Sequence, residues 1–197
     1  MARLYRSLLF VPGNNPRFLE KAKTSTADIV CFDLEDSVPD PEKKNARDLI
    51  KKALQSRSQY SSSVYVRTNS PISGKIPADL QEIIQKGLDG IVIPKVNNPA
   101  ELAKITKIIS SLEKKRKLKP ISVIPSIESA QGVVNTYEIA KSSKRIPAVV
   151  FGVFDLLNDL GIEYTKQAQG AQYSRAKIPV DAKAAGVLAI DGIWQDL

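Results

Sequence analysis

A parallel α/β architecture follows from three features of this 197-residue sequence. Short apolar runs alternate with helical patterns, the runs are apolar throughout, and polar residues gather at their C-terminal ends. Seven runs read as strands: Ser7–Val11, Ile29–Leu34, Val64–Arg67, Gly90–Val96, Ile121–Ile127, Ala148–Phe154 and Leu188–Asp191. Six stretches between them read as helices: Pro16–Thr24, Pro41–Ser56, Pro77–Lys86, Pro99–Lys117, Ala130–Lys141 and Ser174–Ala185. Four of these open on proline, whose fixed φ and missing N–H suit a first helical turn. A strand and a helix every ~25 to 35 residues make βαβ units, and such crossovers join parallel strands. Runs without polar alternation belong to strands covered on both faces.

Two parallel architectures meet these conditions. A dinucleotide-binding sheet would place Gly-x-Gly-x-x-Gly after its first strand, but Val11-Pro12-Gly13-Asn14-Asn15-Pro16 stands there. No Gly-x-x-x-x-Gly-Lys-Ser/Thr occurs either. Polar residues instead mark strand ends: Asp33, Glu35 and Asp36 the second, Arg67 and Asn69 the third, and Lys95 the fourth. Glu128 marks the fifth, Asp155 the sixth and Asp191 the seventh. A barrel brings all of these to one mouth, whereas an open sheet spreads them along an edge. The expected fold is a TIM-type (β/α)8 barrel, incomplete with about seven parallel strands, and residues 1–197 form a single barrel domain.

Composition narrows the chemistry. Hydrophobic residues are 43% and charged residues 25%, as in globular domains, and no apolar run reaches the ~20 residues of a membrane span. The run Leu8–Val11 is too short for a signal peptide and stops at Pro12-Gly13. With one cysteine, Cys31, a reducing cytoplasmic setting is expected. There is no histidine, which excludes Ser–His and Cys–His nucleophile pairs and histidine metal sites. A metal would be held by carboxylates and other oxygens, as magnesium or calcium are.

The net charge is +8, yet the densest basic run, Lys114-Lys115-Arg116-Lys117, closes a helical pattern where cations favour the C-terminus. Aromatic residues are only 6% and do not interleave with the basic ones, which argues against nucleic acid. An anionic small molecule is the expected partner.

Glu128 and Asp155 lie 27 residues apart, one βα repeat, so their carboxylates could share one hard divalent cation. Each could equally cap the helix that follows it. Asp33-Leu34-Glu35-Asp36 sets three acids at one strand end, needing cationic partners, a metal or solvent. Arg67, at the mouth end of a buried strand, reads as a fork for a substrate carboxylate. Lys95 reads as an ion-pair partner for the acidic cluster in preference to a Schiff-base lysine. Arg6, at the opposite end, reads as a structural ion pair, and Cys31 as inert core.

Several of these motifs together carry a resemblance. They are Arg6–Gly13, Asp33–Val38, Val66–Asn69, Ile93-Pro94-Lys95, Ile127–Ala130, Gly152–Gly161 with Asp155-Leu156, and Ala184–Gly192. In order and spacing they resemble the citrate lyase beta subunit-like acyl-CoA lyases, within the HpcH/HpaI aldolase group of barrels. The resemblance implies a Mg2+-dependent carbon–carbon lyase that cleaves citryl-CoA, malyl-CoA or citramalyl-CoA to acetyl-CoA and a 2-oxoacid. By position Glu128 and Asp155 match the metal ligands, and Arg67, together with Glu128, the substrate-binding residues. Glu35 and Asp36 match an acidic motif behind the metal site, while Arg17 and Lys21 are candidate contacts for coenzyme A phosphates. An Arg67→Ala variant is expected to lose turnover while keeping its fold.

Two departures accompany the resemblance. Phe154 stands where many members have an acid, and members continue past Leu197 with a helix, an eighth strand and an extension bearing a catalytic carboxylate. A truncated or short form is therefore expected, assembled as a homo-oligomer, a trimer or hexamer. A metal-dependent aldolase on free 2-oxo acids and a non-catalytic, partner-dependent subunit are the other readings.

Overall fold

A computed structural model describes residues 5–165 and 169–193, and it forms one seven-stranded parallel sheet. In chain order the elements are β1 (Leu8–Pro12), α1 (Pro16–Lys21), β2 (Ile29–Asp33), α2 (Lys43–Gln55), β3 (Ser63–Arg67) and α3 (Ile76–Ile83). They continue with β4 (Gly90–Ile93), α4 (Pro99–Arg116), β5 (Ser122–Ile127), α5 (Ala130–Val134) and α6 (Thr136–Lys141). The last are β6 (Ala148–Phe151), α7 (Val153–Asp159), α8 (Gln172–Ala184) and β7 (Leu188–Ile190). Each strand pairs with its sequence neighbour, in the order β1 to β7 without reversal. A doubly wound sheet reverses its strand order at a switch point, and this one does not, so it curls as a barrel wall.

The curl separates two cores. Outward-facing Val30, Phe32, Val64, Val66, Ile91 and Val123 pack under the helices, with Ile50, Leu54, Leu80, Ile83 and Leu102 beneath them. Inward-facing Ile29, Cys31, Tyr65, Val92, Ile124, Ala148, Val150 and Ile190 fill the barrel interior. Gly90 has a stated reason to be glycine, since a Cβ there would stand 2.6 Å from Cζ of the fully buried Tyr65 ring. Cys31 is buried, and desolvation pushes its thiol far above the ordinary range. It is packing, not chemistry.

Local signals explain most boundaries. Asn15 and Asn98 cap α1 and α4 by accepting hydrogen bonds from Arg17 N and Glu101 N, each with proline in the first turn. The basic run ends α4 at Lys117, which takes the left-handed conformation (φ 54°) of a helix C-cap. Arg6 forms its ion pair with Asp28 at 2.8 Å, at the end of the barrel away from the mouth.

Three expectations need correction. The sixth strand stops at Phe151, and Phe154 and Asp155 belong to the first turn of α7. Val153, Leu156 and Leu157 form the apolar stripe that turns this segment into a helix. The single helix expected over Ala130–Lys141 breaks at Asn135, whose side chain donates instead to Asn97 O at 2.8 Å. Asp191 lies just beyond β7 and pairs with Arg175 at 3.0 Å. Residues 194–197, on which the expected chain end falls, lie outside the described residues. Among the described residues no helix is long and apolar enough to cross a membrane.

Candidate active site

A cavity of about 890 Å3 runs along the barrel interior between β1 and β7, from Arg6 and Ser7 at the far end to the C-terminal ends of the strands. Its wall includes Phe10, Asp33, Arg67, Ser126, Glu128, Gly152, Phe154 and Asp155. Strand alternation carries the inward-facing layer upward from apolar Cys31 and Tyr65 to the polar pair Asp33 and Arg67.

Asp33 and Arg67 are direct partners in the β2–β3 register. Arg67 Nε donates to Asp33 Oδ1 at 2.6 Å and Nη2 to Oδ2 at 2.7 Å, a two-pronged fork. Asp33 also accepts from the backbone N–H of Glu35 at 2.9 Å and of Ser37 at 3.0 Å. Burial would raise the Asp33 carboxyl, but the Arg67 hydrogen bonds and charge outweigh it and hold the group below the usual carboxylate range. Arg67 Nη1 turns to Glu35 Oε2 at 3.2 Å and Asp36 Oδ2 at 3.7 Å, and the guanidinium lies 4.7 Å from the centre of the Phe10 ring.

Lys95 completes the cluster from the other side. Its Nζ lies 3.1 Å from Asp155 Oδ1, 3.2 Å from Glu35 Oε1 and 3.6 Å from Asp36 Oδ1. The expected pairing with the acidic loop is present, and the contact with Asp155 adds a bridge that spacing could not reveal. Lys43 fixes the loop itself: its buried ammonium donates to the carbonyls of Leu34 and Glu35, each at 2.7 Å.

Five carboxyl groups, Asp33, Glu35, Asp36, Glu128 and Asp155, therefore face two cations, Arg67 and Lys95. Burial is the main influence on Glu35 and Glu128, and the neighbouring carboxylates act in the same direction. Burial, with Asp36 and Glu128 nearby, pushes Glu35 up to about 7 against the pull of Arg67 and Lys95. Glu128 is raised by burial first and by Asp155 next, while a hydrogen bond from Ser126 opposes the shift. Glu128 Oε2 is buried and has no hydrogen-bond partner.

Gly152 makes room for this carboxylate, because a Cβ there would stand 2.8 Å from Glu128 Cδ and 2.9 Å from Oε1. An unpartnered buried oxygen beside a second carboxylate, with positive charge in deficit, suits a hard divalent cation. Among the described residues no cluster of three or more His, Cys, Asp or Glu is placed to hold a metal. Magnesium commonly takes only one or two protein carboxylates and leaves its other positions to water and substrate, so the pair fits.

The helix-cap reading of Asp155 is not what the structure contains. Gly152 is the N-cap of α7, no side chain caps it, and Asp155 turns to Lys95. The structure thus brings together Glu35, Asp36, Arg67, Lys95, Glu128 and Asp155. Arg17 and Lys21 stand apart, exposed on α1. Lys21 lines a separate groove with Leu9, Val11 and Phe18 on the outer side of β1, which meets the cavity wall at Phe10 and Pro12. Sequence reading passed over Gly152, Ser126 and Lys43. For Ser126 a signal existed, since it shares the inward parity of Ile124.

The citrate lyase subunit beta of Leuconostoc mesenteroides subsp. cremoris is 36% identical over 197 residues, 99% of this chain and 65% of that protein. The mitochondrial citramalyl-CoA lyase of Rattus norvegicus is 34% identical over 202 residues, 97% of this chain and 60% of that protein. This chain therefore spans 60–65% of the length of these curated relatives. The CitE protein of Mycobacterium tuberculosis, crystallised with magnesium, acetoacetate and coenzyme A, is 25% identical with a TM-score of 0.81. That match covers 100% of this chain and 68% of that one. Residues 6–197 match the HpcH/HpaI aldolase/citrate lyase family, and the chain belongs to that family.

Proposed function

We propose that this chain carries the reaction centre of a Mg2+-dependent carbon–carbon lyase acting on a short 3-hydroxyacyl-CoA of the citryl-, malyl- or citramalyl-CoA kind. The observation that carries this reading is Glu128 Oε2, buried without a partner in a cavity where carboxylates outnumber cations. Glu128 and Asp155 are the residues that would hold Mg2+. When bound, the ion supplies Lewis-acid polarisation of the substrate oxygens and lowers the barrier to hydroxyl proton loss. The reaction removes that proton, breaks the bond between the hydroxyl-bearing carbon and the acetyl carbon, and protonates the acetyl-CoA enolate. The products are acetyl-CoA and a 2-oxoacid.

The chain's own residues supply position and charge. Arg67 is held rigid by Asp33 and by the Phe10 ring, and its guanidinium, which already meets Glu35 and Asp36 through Nη1, lines the cavity where its charge would attract a substrate carboxylate or developing oxyanion. Glu35 and Asp36 hold Arg67 and Lys95 in place. Phe10, Val150 and Ile190 form an apolar floor that limits water at the reacting bond. Arg17 and Lys21 are assigned to the phosphates of coenzyme A: both are exposed on α1, and Lys21 lines the groove that meets the cavity at Phe10 and Pro12. The reading includes a homo-oligomer, trimer or hexamer, supported by the exposed apolar residues Tyr173 and Val180 on α8. It also includes a cytoplasmic setting, supported by a single and buried cysteine.

Turnover of malyl-, citramalyl- and citryl-CoA is measured with Mg2+ and with EDTA, following acetyl-CoA, the 2-oxoacid and free coenzyme A. Mg2+-dependent release of acetyl-CoA with an equal amount of 2-oxoacid is expected, and Glu128→Gln abolishes it. Cleavage confined to free hydroxy-oxo acids points to an aldolase without coenzyme A. A folded chain inactive on every substrate points to a partner-dependent subunit. Release of coenzyme A without an oxoacid replaces carbon–carbon cleavage by thioester hydrolysis.

A further inference from the structure

We propose that Lys95 is an interlock between metal and substrate. In the metal-free chain its ammonium stands in as the counter-cation for Asp155 and the Glu35–Asp36 loop, and metal binding frees it to pair with a substrate carboxylate. The inference rests on the assignment of Glu128 and Asp155 above and adds an order of binding to it.

Three observations carry it. First, an ammonium has three N–H donors, and Nζ has three carboxylates within 3.1 to 3.6 Å, two from the loop after β2 and one from the first turn of α7. A cation that takes Asp155 as a ligand removes the nearest of these acceptors and sets a like charge beside Nζ.

Second, among the described residues only Lys95 and Lys117 are non-glycine residues with positive φ, both at 54°. Lys117 is a helix C-cap, which accounts for its conformation, whereas Lys95 follows β4 and caps nothing. Left-handed backbone at a residue with a Cβ is strained and persists where the surroundings hold it. Here the Val96 N–H that follows is bonded to Ser126 O at 3.3 Å, and the Lys95 side chain is tied to Asp155, Glu35 and Asp36.

Third, the Lys95 side chain is 32% exposed, against 13% for Arg67. Arg67 is locked by its fork to Asp33, so Lys95 is the cation of the cluster with room to move.

The test titrates Mg2+ into the full chain by calorimetry, and then oxaloacetate at saturating Mg2+. Wild type, Lys95→Gln and Lys95→Arg are compared. All three residues bear a similar left-handed strain, and Lys95→Arg keeps the charge that Lys95→Gln removes. Lys95→Gln is expected to bind Mg2+ about tenfold more tightly and oxaloacetate about tenfold more weakly, whereas Lys95→Arg stays near wild type in both. A purely structural lysine would weaken both ligands, so the opposite signs are diagnostic.

An independent readout is acetylation of wild-type Lys95 by acetic anhydride, quantified by peptide mass spectrometry. Labelling is expected to rise several-fold on adding Mg2+ and not to rise in Glu128→Gln. It decides the matter alone if Lys95→Gln does not fold. Wild-type Mg2+ binding with unchanged or weaker affinity in Lys95→Gln, or with unchanged Lys95 labelling, overturns the interlock and leaves the metal assignment standing. A wild-type chain that binds no Mg2+ removes both.

Discussion

Arg67 and Asp33 face each other across the β2–β3 ladder and are joined by two hydrogen bonds of 2.6 and 2.7 Å. The arginine that sequence alone marks as a substrate fork thus has one edge already committed to its neighbouring strand. That commitment makes Arg67 a rigid donor, and it makes Asp33 as important to the site as the arginine itself.

Breaking this pair has a distinct cost. Asp33→Asn leaves a buried guanidinium with only its weaker contacts to Glu35 and Asp36, and should lower stability by about 3 kcal/mol in urea unfolding. Arg67→Ala strands Asp33 and Glu35 and costs a similar amount, so lost turnover in that variant mixes two effects. Arg67→Lys retains the charge without the fork. It should remain folded while kcat/KM falls at least about tenfold, and an unchanged kcat/KM refutes the substrate role of Arg67.

Gly152 and Glu128 are sterically coupled. At Gly152 φ is −101°, a value any residue adopts, so Gly152→Ala adds no backbone strain and its cost, about 1 to 3 kcal/mol, comes from crowding Glu128. The added methyl group forces the Glu128 carboxylate to move, and Mg2+ affinity measured by calorimetry should drop about tenfold or more.

Glu128→Gln should act with opposite signs on two measurements. Removing a buried, partly unpaired carboxylate should raise metal-free stability at pH 8 by about 1 kcal/mol. The same change should eliminate the Mg2+-induced rise in Tm. A variant that loses stability without metal contradicts the surplus of negative charge described above.

Glu35 gives the pH dependence its direction. Its carboxyl lies at about 7 in the folded chain against 4.5 for the free group, so between these values the folded state retains a proton that the unfolded state has lost. Stability of the metal-free protein should therefore fall as pH rises from 5 to 8, with the raised Glu128 adding in the same sense. Glu35→Gln should flatten the decline by about 2 kcal/mol, read from urea titrations at the two pH values. A profile as steep as that of wild type would place the titration elsewhere.

Much of this protein is legible in its sequence because the relevant signals are local. Apolar runs, proline-led helices and asparagine caps specify the order of strands and helices within a few residues. A parallel sequential barrel then sends every strand end to one mouth, which is how Glu128, Asp155, Arg67 and the Asp33–Asp36 loop were found. The segment after Phe151 is ambiguous in sequence for a related reason: Val153 and Phe154 continue an apolar run that a strand and a helix share until the next turn decides. Three-dimensional packing alone decided which charges pair. Lys95 reaches Asp155 as well as Glu35, Asp33 claims an edge of Arg67, and Gly152 leaves space for Glu128. The energy of such contacts depends on through-space distance and desolvation between residues remote along the chain, and neither quantity is encoded in local periodicity.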